Sequence, residues 1–302
     1  MPLDGITLGA VVHELDQTLK NAKVDKVHQP EKDELTLALR VNNSLRLLLI
    51  SANASNPRIY LTSNPKPNPQ TPPRFCMLLR KHLTGGRVTG MEQLGNERIV
   101  KINFLCANEL GDIAPKSLIV EIMGKHSNII LVDDKNIIID AIKHVTSEIS
   151  RVRQVLPHYD YMLPQNQGKL DPFLNKAEVT ELLSNINDLP TPGFLFSNIV
   201  GVSKQAAEEI VFRMKSHNSV LKGYEDYIKR VLNKEYSPTL LVDESQNPID
   251  FLPFNYQVYT QDRQRRADSM SGLLEEYYMQ RDMTLRIQSR TREMHTLLNN
   301  LI

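Results

Sequence analysis

Cysteine is nearly absent from this 302-residue chain: Cys76 and Cys106 are its only two. Two thiols cannot form a zinc site alone, and no C-x-x-C redox pair exists. Both are expected to be reduced core or strand residues of a cytosolic protein. Long apolar runs are also missing. None approaches the roughly 18–20 residues that span a bilayer, so no membrane association is expected. No basic segment followed by an apolar one opens the chain, so no secretion signal is expected. The P-loop pattern, the G-x-S-x-G elbow and the H-E-x-x-H pair are all lacking. His13, His28 and His82 have no second metal ligand at useful spacing. A hydrolase or metalloenzyme has no support, and neither a metal nor another cofactor is expected. There are no internal repeats.

What remains is an ordinary globular composition, with 41% apolar and 24% charged residues and a formal net charge of +1. That balance conceals local asymmetry. Between positions 74 and 101, Arg74, Arg80, Lys81, Arg87, Arg98 and Lys101 face only Glu92 and Glu97. Between 143 and 153, Lys143, His144, Arg151 and Arg153 face Glu148. Such runs form either a solvated face or a surface for a polyanion.

Apolar residues at Ile6, Leu8, Val11, Val12, Leu15 and Leu19 have a helical period, with Asp4 as its N-cap. Strand patterns follow at 24–28, 35–41, 45–51 and 58–61, and Asn42-Asn43 marks a hairpin turn. Alternation over 35–41 predicts a half-buried strand. Five prolines make 64–73 a loop before a helix over 73–83 that ends at Gly85-Gly86. Strands are expected over 86–93, 98–106, 116–123, 128–132 and 137–142. The fold class is therefore α+β, with a β-sandwich-like N-terminal domain over 1–172 whose last stretch, 157–172, reads as a linker. A helical domain follows over 173–236. Positions 237–267 return to strand patterning, including Thr239 to Val242 and Tyr256 to Tyr259, as a hairpin docking on the first domain. A long helix over 268–302 has Leu274, Tyr277, Leu285 and Leu298 at rough helical spacing and could begin a coiled coil. Within the helical domain, Ile199-Val200-Gly201-Val202-Ser203 precedes a helix carrying Ala206 and Ala207. It reads as a helix-hairpin-helix whose Gly201 and Ser203 could hold a phosphate, or as a plain αα-hairpin.

The most informative stretch is Glu121-Ile122-Met123-Gly124-Lys125-His126-Ser127-Asn128, running into the apolar Ile129 to Val132. A glycine beside a cation, a titratable ring and two neutral hydrogen-bonding groups suits phosphate or sugar recognition better than acid–base chemistry. A tight hairpin turn is the alternative. The stretch resembles the signature of the NFACT family. Matching pieces occur in the same order: Asp4-Gly5, Val27-His28-Gln29-Pro30, Met77-Leu78-Leu79-Arg80-Lys81, Gly95-Asn96-Glu97-Arg98-Ile99 and Leu156-Pro157 with Tyr159. Asp250-Phe251-Leu252-Pro253 and Leu274-Glu275-Glu276-Tyr277-Tyr278 complete the series.

The resemblance implies a cytoplasmic ribosome quality-control factor. Such proteins bind large ribosomal subunits carrying obstructed peptidyl-tRNA and recruit tRNA, alanyl-tRNA in bacteria, for template-free tailing of the nascent chain. The ribosome makes the bond, so the protein is expected to be a recruiter and not an enzyme. The family's tRNA-binding positions fall here on Glu97, where many members have Asp, on Arg98, and on Glu121 through Asn128. Arg80 and Lys81 are further phosphate candidates. The resemblance also implies a longer protein, continuing into a coiled coil and another RNA-binding domain. Its first domain is similar in fold to the formamidopyrimidine-DNA glycosylase N-domain, which draws attention to Pro2 as an amine nucleophile. Those enzymes need a carboxylate directly after that proline. Here Leu3 stands there, and two cysteines cannot build their zinc finger. Two other classes stay open: a fibronectin-binding adhesin and a generic nucleic-acid binder.

Overall fold

The computed structural model describes residues 3–107, 111–165, 168–186 and 188–299. Pro2 lies outside them. The first helix, α1 (Gly5–Leu19), is capped by Asp4, whose Oδ1 accepts the Thr7 N–H at 2.7 Å. Its apolar residues Leu8, Val11, Leu15 and Leu19 are buried, each worth roughly 1.5–3 kcal/mol relative to exposure.

Four strands follow as an antiparallel meander: β1 (Lys23–Glu31), β2 (Glu34–Val41), β3 (Ser44–Ser51) and β4 (Arg58–Thr62). Asn42 and Asn43 take φ of 45° and 65°, the left-handed pair that a tight hairpin needs. The half-buried alternation expected of β2 is not observed, because Glu34 through Leu39 are all buried. The cause is the last helix, α7 (Met270–Asn299), which covers the face of this meander that was expected to meet water. On that face Arg58 meets Asp282, Tyr60 stacks on Tyr278, and Thr62 donates to Glu275.

After the proline loop comes α2 (Arg74–Leu83), with Phe75, Cys76, Leu79 and Leu83 buried. Five more strands follow: β5 (Arg87–Gln93), β6 (Ile99–Ala107), β7 (Ile113–Glu121), β8 (Asn128–Val132) and β9 (Ile138–Ala141). Two separate leaves were expected, but the nine strands make one antiparallel sheet in the order β4-β3-β2-β1-β5-β6-β7-β8-β9. The halves are joined by one short antiparallel stretch, where Lys23 pairs with Arg87 and backbone hydrogen bonds link residues 21–24 to 85–88. That narrow joint lets both halves share one core with α1 and α2. Their far ends meet where Lys143 Nζ donates to Ala52 O at 2.5 Å and Ser127 O at 3.0 Å. Cys76 and Cys106 are free and buried in this core.

Part of the stretch read as a linker is packed. The backbones of Ile138, His158 and Tyr159 exchange hydrogen bonds, and Asp171 is buried. The helical module comprises α3 (Lys176–Ser184), α4 (Pro192–Asn198), α5 (Lys204–Ser216) and α6 (Val220–Leu232) around a second core. A small sheet then has the order β11-β10-β12, from β10 (Thr239–Val242), β11 (Pro248–Leu252) and β12 (Gln264–Arg266). It joins both cores: Leu240 and Phe251 enter the first, Leu252 and Phe254 the second. Tyr256 to Tyr259 form a turn and not the expected strand. The Tyr256 hydroxyl meets that of buried Tyr227 at 2.8 Å, and the Val258 N–H donates to Glu209 at 3.0 Å, so side chains satisfy this segment in place of a ladder. The Glu14 carboxylate of α1 accepts the first N–H groups of α7, from Met270 and Ser271.

Candidate nucleic-acid interface

Four chain segments, separated in sequence, meet at one point. The turn from β5 to β6 is opened by Gly95 at φ 61° and places Asn96 inside the protein at 1% exposure. The Asn96 N–H donates to Asp171 Oδ2 at 2.6 Å, and its Nδ2 donates to the Val200 carbonyl at 2.7 Å. The Gly201 carbonyl accepts N–H groups from Gly5 and Ile6 at 3.0 and 3.3 Å. Asp4 Oδ2 accepts the Ser203 N–H at 3.2 Å. Burial raises the Asp4 carboxyl above the usual carboxylate range, and these hydrogen bonds partly offset the rise. A Cβ on Gly5 would fall 2.0 Å from the Asn96 carbonyl oxygen, and one on Gly201 would fall 2.3 Å from it. Backbone packed against backbone here admits no side chain.

Glu97 and Arg98 stand directly on this pinned turn. Gln93 Nε2 holds the Glu97 and Gly5 carbonyls together at 2.8 and 2.7 Å. Arg98 is half-buried. Desolvation lowers its pKa, opposed by the charges of Glu97 and Asp4. A guanidinium in that setting stays charged, and its planar group is of the kind that forks to a phosphate or stacks on a base.

The second motif lies alongside. The Ile122 N–H donates to the Arg98 carbonyl at 2.9 Å, and Ile99 pairs with Glu121 across β6 and β7. The two segments singled out in the sequence therefore form one rim. Within it the residues divide sharply. Glu121 is 1% exposed and forms an ion pair with Arg153 (2.5 Å), also accepting the Tyr161 hydroxyl at 2.9 Å. Ile122 is core. Met123 is half-buried, and its N–H donates to the Ser127 hydroxyl at 2.8 Å. Gly124, at φ 60°, opens a 3₁₀ turn over Gly124–His126. Lys125 and His126 face solvent. Ser127 and Asn128, expected as ligand contacts, are buried; Asn128 exchanges hydrogen bonds with the Lys143 backbone at 2.9 and 3.1 Å. Four of the eight motif residues thus build the turn that presents the others.

Arg80 and Lys81 stand elsewhere, exposed on the last turn of α2, where Arg80 Nε donates to the Val27 carbonyl at 2.9 Å. Ser203 engages its N–H with Asp4 and its hydroxyl with the Ala206 N–H at 3.1 Å, so both act inside the protein. Asp171, Arg153 and Lys143 organise the rim without having been singled out for it. Asp171 lies in a stretch that reads as a linker, and no local pattern marks a carboxylate whose partner is 75 residues away. Among the described residues, no group of three His, Cys, Asp or Glu could hold a metal ion. No helix there is long and apolar enough to cross a membrane.

Residues 4–302 match the family model of the NFACT N-terminal and middle domains. The chain belongs to the NFACT family. It is 33% identical over 307 residues to the Rqc2 homolog RqcH of Bacillus subtilis, covering 99% of this chain and 53% of that protein. It is 26% identical over 302 residues to the human ribosome quality control complex subunit NEMF, covering 90% of this chain and 27% of that one. Among solved structures, the N-terminal part of the fibronectin/fibrinogen-binding protein from Streptococcus suis superposes with a TM-score of 0.80 at 32% identity, over 92% of this chain and 99% of that one. This NFACT chain therefore spans about half the length of the bacterial relative. The α+β fold with one large antiparallel sheet agrees with that likeness.

Proposed function

We propose that this chain is the tRNA-holding portion of a cytoplasmic ribosome quality-control factor. The factor binds large subunits carrying obstructed peptidyl-tRNA and recruits tRNA, alanyl-tRNA in a bacterial setting, for template-free tailing. The observation that carries the reading is the rim. The Arg98 backbone bonded to Ile122 sets Glu97 and Arg98 beside the exposed Lys125 and His126. Two cations, a carboxylate and an imidazole on one rigid edge suit a folded RNA, with Arg98 and Lys125 toward phosphates and His126 and Glu97 toward sugar or base edges. In this reading the rim positions the RNA and the ribosome makes the peptide bond.

The test is RNA cross-linking and sequencing in cells, with the Glu97→Ala/Arg98→Ala double variant as control. Enrichment of one or a few tRNAs that the double variant abolishes is the expected result. Enrichment that survives the variant would remove the 97–98 turn from the interface. The likeness to a fibronectin/fibrinogen-binding protein favours a second reading, a surface adhesin. Labelling intact cells separates the two, because a cytoplasmic factor stays unlabelled.

A further inference from the structure

Two of the sequence pieces that the rim leaves unused meet in space. Val27-His28-Gln29-Pro30 lies on β1 and Met77-Leu78-Leu79-Arg80-Lys81 on α2, and a cleft of about 230 Å³ opens between them. His28 and Gln29 line it from β1, Arg80 lines it from α2, and Asn68 and Gln70 of the proline loop complete it. Pro69 and Pro72 line it too, and their fixed φ angles hold that loop in shape before a ligand arrives. Sites for whole small molecules start at roughly 300 Å³, so this one suits a single compact group.

The cleft is positive, and the acids around it are engaged elsewhere. No carboxylate lines it. Asp25 on β1 pairs with Arg40 at 2.7 Å, and Glu31 and Glu34 each pair with Lys66 at 2.9 Å. Arg80 is held by backbone: its Nε donates to the Val27 carbonyl at 2.9 Å, and among the described residues no carboxylate pairs with it. Its charge is therefore fixed in place without a counter-charge, on a planar group of the kind that forks onto a tetrahedral oxyanion. His28 stands in the same field. Desolvation, then the charges of Arg80 and Lys26, push its imidazole below the ordinary histidine range. An anion between these groups would relieve their mutual repulsion.

We infer that this cleft is a binding site for one phosphate group. The phosphate oxygens meet the Arg80 guanidinium, the His28 ring N–H and the side-chain amides of Asn68 and Gln70. The group arrives as a backbone phosphate of an RNA or as the head of a small phosphorylated compound, and the recognition chemistry is the same for both. The inference stands apart from the RNA-binding reading of the rim, because a chain that held no tRNA would still take phosphate here.

The experiment follows the histidine ring signals of the 302-residue chain by NMR during titration with inorganic phosphate. Sodium chloride at equal ionic strength is the baseline, and His28→Gln assigns the signal. The His28 ring is expected to respond to phosphate and not to chloride, and to titrate about one pH unit or more higher with phosphate bound. Arg80→Gln should weaken phosphate binding about 10- to 100-fold, the range of a hydrogen bond to a charged group. That variant also releases the Val27 carbonyl, so Asn68→Asp is the second probe. It changes only an exposed loop residue, so its melting temperature should hold while its new charge weakens phosphate binding about tenfold or more. If both variants also weaken tRNA binding and lower its log–log salt slope by about 1, the phosphate belongs to RNA. If they weaken phosphate alone, it belongs to a small compound, and either result upholds the site. A His28 signal that moves equally with phosphate and chloride, or phosphate binding that both variants leave intact, overturns it. Polyglutamate moving the His28 signal where phosphate does not would overturn it in favour of an acidic peptide.

Discussion

The Asn96 side chain donates to the Val200 carbonyl across 104 positions of sequence, at 2.7 Å. With the Asn96 N–H on Asp171, this buried amide ties the large sheet, the former linker stretch and the glycine hairpin together. Asn96→Ala leaves the Val200 carbonyl unsatisfied in the interior. A loss of about 1–3 kcal/mol is expected in urea unfolding. An unshifted midpoint would show that water replaces the amide at no cost.

Gly201 has φ of 73°, and its Cβ position is occupied by the Asn96 carbonyl oxygen at 2.3 Å. Gly201→Ala should destabilise by more than the roughly 1–2 kcal/mol of left-handed strain alone, because backbone must also move. It should weaken tRNA binding too, through displacement of the 95–98 turn. Thermal melts and filter binding read the two effects, and a stable variant with normal binding would contradict both.

Arg98→Ala should weaken tRNA binding and reduce the log–log salt slope by about 1 if Arg98 contacts one phosphate. Binding titrations across a salt series measure this directly. Unchanged affinity and slope would take Arg98 off the interface.

Burial raises the Asp250 carboxyl to about 6, despite the hydrogen bond from Phe251 N–H. The native state therefore holds this proton more tightly than the unfolded chain does. Its stabilising contribution is present below the unfolded carboxylate pKa and is lost as pH rises through about 6. Asp250→Asn should make the protein more stable at pH 7.5 by about 2–3 kcal/mol and flatten the profile between pH 5 and 7.5. Urea unfolding at the two pH values decides it, and parallel profiles for both proteins would refute the assignment.

Much of the first sheet is legible in local pattern, since β1 to β3 carry apolar residues in strand patterns and Asn42-Asn43 turn β2 into β3. The four helices α3 to α6 all fall within the stretch 173–236 that reads as helical. Failures share one physical origin. The burial of β2 on both faces depends on α7, more than 200 residues away. Tyr256 to Tyr259 alternate like a strand, but their partners are Tyr227 and Glu209 of the helical module. For the candidate site, composition alone distinguishes neither Glu121 from Glu97 nor Asn128 from His126. Burial does: Arg153 and Lys143 hold the first of each pair inside.

The Glu14 carboxylate that receives the first N–H groups of α7 has a mechanical meaning. Gly5, at the other end of α1, rests on the Gly201 carbonyl beneath the turn of Glu97 and Arg98. The two points are nine residues apart on one helix, roughly 14 Å. That makes α1 a stiff strut between the rim of Glu97 and Arg98 and the base of α7, while Arg58 on Asp282 adds a second brace. A force applied along α7 reaches the rim through hydrogen-bonded helix, so the angle of that arm and the position of the Glu97–Arg98 turn are linked.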